Sequence, residues 1–101
     1  MKCKINRNAA KMIKKLMEED ENKKDKLLRV YITNEHGSHA HYGMMFDTQK
    51  EHDIVVHTDK GIDVLLDSRE PFLDGVFIQY FFVGKSGFII TNSSKGNHGD
   101  H

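Results

Sequence analysis

From Leu27 onward the chain is a succession of short alternating stretches and short apolar runs bounded by charge and turns, and that pattern commits most of its length to β structure. Leu28, Val30 and Ile32 alternate with Arg29, Tyr31 and Thr33, the mark of a half-buried strand, because successive side chains leave opposite faces. The loop Asn34 to Ala40 follows, and His41 to Phe46 reads as a second strand. Ile54-Val55-Val56 and Ile62 to Leu66 are two further apolar runs, with Lys60-Gly61 turning between them. Asp67 to Phe72 holds the one proline, Pro71, and reads as a turn or one short helical turn. Val76 to Val83 and Phe88 to Ile90 form a closing hairpin around Gly84-Lys85-Ser86-Gly87. Its Phe77, Tyr80, Phe81, Phe82 and Phe88 supply core aromatics and a candidate dimer face.

Ahead of these strands the pattern differs. Residues 2 to 6 alternate so that Cys3 and Ile5 share a face, a short strand. Ala9, Met12, Ile13, Leu16 and Met17 then recur at spacings of three and four, the apolar stripe of a helix whose Lys11, Lys14, Lys15 and Glu18 face water. Asn6 or Asn8 is its N-cap, and Glu19 to Asp25 is a charged connector. Strands that do not alternate with helices exclude a doubly wound fold. The expectation is an α+β domain, mostly β, of curled or sandwiched short-strand sheets with one N-terminal helix, spanning 1–101 with a polar tail at 92–101.

Fifteen basic residues balance fifteen acidic ones, so no basic excess argues for nucleic acid. No apolar run approaches the roughly 20 residues of a membrane span, and Met1 to Ile5 has no apolar signal core. A single cysteine, Cys3, cannot form an internal disulfide. The expected location is cytoplasmic, with neither nucleic acid nor membrane as partner. Five of the seven histidines lie in two polar segments, the loop holding His36, His39 and His41 and the tail holding His98 and His101. Imidazoles gathered in two places close a metal site when a fold brings them together. His39 and His41, two apart, point the same way in an extended segment. Ser38 beside His39 is no triad signature, Gly84 to Gly87 precedes no helix and is no phosphate loop, and no carboxylate pair stands out. An enzyme is not expected.

Three stretches in order add a resemblance. Arg29-Val30-Tyr31-Ile32 runs through a loop to Tyr42-Gly43; Phe72-Leu73-Asp74-Gly75 leads to Ile78, Gln79 and Tyr80; and Gly87-Phe88 leads to Thr91-Asn92 and a glycine-containing tail. This layout resembles the HesB-like, A-type iron–sulfur carrier family (the IscA type) over nearly the whole chain. The resemblance implies a compact β-rich domain that holds iron or an iron–sulfur cluster through one loop cysteine and a tail Cys-Gly-Cys pair. Here the loop position falls on Gly37, flanked by His36 and Ser38, and the tail pair falls near His98-Gly99-Asp100. No cysteine remains at either place. Clusters are held by thiolates, so an iron–sulfur cluster is not the expected cofactor. A mononuclear Fe or Zn site of imidazole and carboxylate is chemically ordinary.

The functional expectation is therefore a HesB-like protein of iron or iron–sulfur metabolism that has lost its cluster cysteines. It would bind one divalent metal through His36, His39, His41, His98, Asp100 and His101. It would work as a homodimer that shares loop and tail ligands, alongside iron–sulfur assembly proteins. The alternative is a metal-free interaction or dimerisation module that keeps the fold and uses the aromatic hairpin.

Overall fold

A computed structural model describes residues 1–21, 24–37, 39–82, 84 and 87–92, with residue 39 by its backbone. Among the described residues, seven strands and one helix follow the order β1 (Cys3–Ile5), α1 (Arg7–Glu19), β2 (Leu27–His36), β3 (His39–Asp47), β4 (Asp53–His57), β5 (Asp63–Asp67), β6 (Val76–Phe81) and β7 (Gly87–Thr91), with one 3₁₀ turn at Pro71–Leu73. They form two sheets, a three-stranded one ordered β1-β6-β7 and a four-stranded one ordered β3-β2-β5-β4. The fold is α+β and mostly β, as the alternating stretches and short apolar runs of the sequence led one to expect.

Each element follows from its residues. Asn6 caps α1, its side chain accepting the Ala9 amide at 2.8 Å, which satisfies one of the free N–H groups at a helix start. Ala9, Ala10 and Ile13 are the buried residues of α1. Leu16, expected in the stripe, is instead 40% exposed; burial is concentrated toward the start of the helix, where small Ala9 and Ala10 permit close approach. β5 is buried across its three central residues, Val64, Leu65 and Leu66, because a central strand is covered on both faces.

The core gathers Cys3 and Ile5 of β1, Ile13 of α1, Leu28 and Val30 of β2, Val64 and Leu66 of β5, Leu73, and Val76 and Ile78 of β6. Tyr42, Met44 and Phe46 of β3 and Tyr80, Phe88 and Ile90 pack against it, so both sheets and the helix share one apolar interior. Phe81, Phe82 and Ile89 lie outside it, 41%, 55% and 46% exposed. Tyr80 makes edge contacts with Phe82 and Phe88 at ring centroid distances of 5.0 and 4.8 Å. Only part of the aromatic hairpin is therefore core.

On the other face of the four-stranded sheet, Leu65 lies in register with Arg29 and Val55. There Arg29 ties three segments together: it donates to Asp47 at 2.8 Å, to Asp53 at 2.8 Å and to the Thr48 carbonyl at 3.2 Å. The Asp53 side chain is 2% exposed, and the guanidinium holds its carboxyl below the usual carboxylate range.

Candidate functional site

The segment expected as a loop from Asn34 to Ala40 is a hairpin. β2 continues to His36 and β3 begins at His39, with Asn34 opposite His41, Glu35 opposite Ala40 and His36 opposite His39. Gly37 sits in the turn with φ +59°, the left-handed conformation that two-residue hairpin turns demand and glycine adopts freely. The polar side chains disguised the ladder, because strand pairing is made by backbone groups and these residues face water. A bulge separates Ile32 from Asn34 and re-aims the outer part of the hairpin.

Directly opposed residues in an antiparallel pair share a face, so His36 and His41 are diagonal neighbours on one side of the ribbon. Their ring centroids are 6.3 Å apart with planes at 80°, and both residues are exposed. Two imidazoles on one tetrahedral metal, each bonded at about 2.0–2.1 Å, place their centroids about 5 Å apart. The observed spacing is about 1 Å wider than that. The side chain of His39 lies outside the described residues, as do His98, Asp100 and His101. Among the described residues no three His, Cys, Asp or Glu side chains gather as a metal site. Gly37, the position the resemblance gives to the loop ligand, has open space around it: a Cβ there would meet nothing within 4 Å.

Asn92, counted with the polar tail in the sequence, belongs to the interior. It is 0% exposed, and its amide donates to the Phe72 carbonyl at 2.7 Å and the Asp74 carbonyl at 2.8 Å. The Tyr42 hydroxyl donates to the same Phe72 carbonyl at 2.8 Å. Burial pushes the Tyr42 phenol up, while its hydrogen bond with Asn92 opposes that. A buried polar group persists when its hydrogen bonds are made, and here they are. Polarity alone concealed this residue; its place in Thr91-Asn92 was the available signal.

Cys3 is buried at 9% exposure, and burial pushes its thiol up to about 12. It sits in β1 among apolar neighbours, so it is a packing residue and not an available thiolate. His57 pairs with Asp63 at 2.7 Å at the end of β4, and His52 is exposed; neither joins His36 and His41. A cleft of about 410 Å³ lies between β1 and residues 57–60. In its lining Lys60 faces Asp59 and His57 faces Asp63, with Lys4 beside them. Among the described residues no helix is long and apolar enough to cross a membrane.

Comparison with known proteins gives one informative relative. Over 74 residues, 72% of this chain, the sequence is 38% identical to the iron–sulfur cluster insertion protein ErpA of Marinobacter nauticus (strain ATCC 700491 / DSM 11845 / VT8). The matched stretch covers 66% of that protein, just under two thirds of its length. No family model matches the chain. The chain is a distant homologue of that insertion protein.

Proposed function

From the premise that this chain is a distant homologue of an A-type iron–sulfur cluster insertion protein, we propose that it is a HesB-like protein of iron or iron–sulfur metabolism. On this reading it binds a single divalent metal, Fe or Zn, where its relatives hold clusters. The donors do not fit a cluster. One cysteine serves the whole sequence, and it is buried with its thiol raised to about 12, whereas clusters require several thiolates.

The observation that carries the metal reading is the pairing of His36 and His41 across the hairpin at 6.3 Å, close to the spacing two imidazole ligands need. His39, the rung partner of His36, and His98, Asp100 and His101 would complete the coordination. A second copy of the chain could lend the tail ligands, which makes a homodimer the natural form. The protein would then be an accessory factor working alongside iron–sulfur assembly proteins, not a cluster donor.

Metal analysis of untagged protein, purified without nickel resin, tests this. One equivalent of Fe or Zn per chain, lost in His36→Ala and His98→Ala, is expected. Substoichiometric metal that neither substitution changes overturns it.

A second reading has its own support. Phe81, Phe82 and Ile89 are exposed at one end of the β6–β7 hairpin, which suits a metal-free module that docks through this hairpin. A concentration-independent monomer in light scattering would count against its dimerising form.

A further inference from the structure

β1 is the outer strand of the three-stranded sheet, and its free edge faces a cleft. On the paired side the Gly75 amide donates to the Lys2 carbonyl at 2.8 Å, and the Asn6 amide donates to the Ile78 carbonyl at 3.0 Å. In a parallel ladder, residues bonded to the neighbouring strand alternate with residues whose N–H and C=O point the other way. Lys2, Lys4 and Asn6 therefore direct their peptide groups to β6, and Cys3 and Ile5 turn theirs outward. Among the described residues no strand pairs with that outer side, and no backbone hydrogen bond to it is made. Cys3 and Ile5 are only 9% and 2% exposed, so this edge is recessed. A recessed peptide group without a partner costs stability, and an arriving strand relieves that cost.

The cleft, about 410 Å³, is of the size that holds ligands. Lys4 and its register partner Phe77 line one side, and residues 57–60 form the facing wall. Lys60 faces Asp59 at 3.3 Å and His57 faces Asp63 at 2.7 Å. Lys4 is exposed, and among the described residues it has no carboxylate in ion-pairing reach. These features choose the occupant. Unpaired peptide groups ask for a backbone. The recess rules out the β1 of a second copy, which lies in the same hollow and cannot enter this one. A lone lysine is no anion site, but it favours an acidic side chain on a strand laid beside it. We propose that the cleft takes an extended segment of a partner protein, added as a fourth strand at β1 with an acidic residue beside Lys4. The proposal goes beyond the metal reading and stands or falls without it.

Amide nuclear magnetic resonance on the full chain, kept in chelator, tests it. The probe is the capped peptide Thr-Val-Glu-Val-Thr at millimolar concentration. The Cys3 and Ile5 amides should shift together to saturation and exchange their hydrogens about tenfold more slowly. Lys4→Glu should weaken this peptide about fivefold and favour Thr-Val-Lys-Val-Thr; Lys4→Gln serves if Lys4→Glu does not fold. Of two N-methylated peptides, one blocked at its valines and one at its glutamate, at least one should lose binding, because strand pairing needs the backbone N–H. Unmoved Cys3 and Ile5 amides, or full binding by both N-methylated peptides, overturn the proposal. Equal shifts from free glutamate overturn it in favour of a small-anion site. Shifts of the same amides on dilution of the protein alone overturn it in favour of self-association.

Discussion

Replacing Arg29 by methionine isolates the charge cluster that ties the ends of β3 and β4 to β2. The substitution keeps most of the aliphatic stem opposite Leu65 and removes the guanidinium. Asp53, 2% exposed at its side chain, would then keep its charge with only the Lys50 amide at 2.7 Å to face it. Removing one partner of a fully buried pair costs about 3–5 kcal/mol. The Arg29 and Asp47 side chains are 12% and 21% exposed, so solvent relieves part of the loss and about 2–3 kcal/mol is expected. At about 4–8 °C per kcal/mol for a chain of this size, the melting temperature should fall by about 10–20 °C. The pH dependence gives the sharper signature. The Arg29 hydrogen bond, more than any other cause, holds Asp53 below its ordinary value. Such a group contributes stability above its unfolded pKa of about 3.9 and loses it as pH falls through the depressed folded value. The deficit of Arg29→Met should therefore be largest near neutrality and shrink on acidification below about pH 4. Thermal melts by circular dichroism across pH, repeated in an Asp53→Asn background where the deficit should mostly vanish, measure both effects. A deficit that is constant with pH, or undiminished by Asp53→Asn, would mean that Arg29 does not act through the Asp53 carboxylate.

Other outcomes are expected from single sites. Asn6→Ala should cost about 1 kcal/mol by removing the cap of α1, read as a lower denaturation midpoint with an unchanged slope. Cys3 should resist alkylation in the folded protein and react fully in denaturant, since its thiol is buried and pushed up to about 12; rapid labelling of native protein would contradict its place in the core. A Cβ at Gly43 would lie 2.7 Å from the Tyr31 ring. Gly43→Ala should thus be more harmful in the parent than in a Tyr31→Ala background, by about 0.5–1 kcal/mol in a double-mutant cycle. Phe82→Glu should leave folding intact, because Phe82 is 55% exposed, and should disperse any dimer that the aromatic hairpin makes.

Much of this architecture could be read from the residues, and the failures share a cause. Alternation located β1 and the start of β2, apolar runs located β4 and β5, runs flanking a glycine-rich turn located the hairpin of β6 and β7, and the three-four spacing located α1. Burial of one face writes itself into such patterns. Where both faces meet water the pattern falls silent: Asn34 to Ala40 read as a loop although its backbone is paired through to His36 and His39. Asn92 erred the other way, a polar residue assigned to the tail that is in fact fully buried. Arg29 passed for an ordinary solvent-facing residue, since nothing local announces that Asp47 and Asp53 will converge on it. Of the candidate ligands, the structure brings His36 and His41 together; His39 can be placed only by its rung opposite His36. Leu16 shows the limit of periodicity, which assigns a face but not how far along the helix that face is covered.

The proposal that imidazoles of the hairpin and of the final segment share one metal is tested by histidine ring signals followed by nuclear magnetic resonance during Zn²⁺ titration of the untagged protein. His36, His39 and His41 should shift together with at least one of His98 and His101, saturating at one equivalent per chain while His52 and His57 stay unmoved. Independent weak shifts spread over all seven histidines, with no saturation at one equivalent, would contradict it.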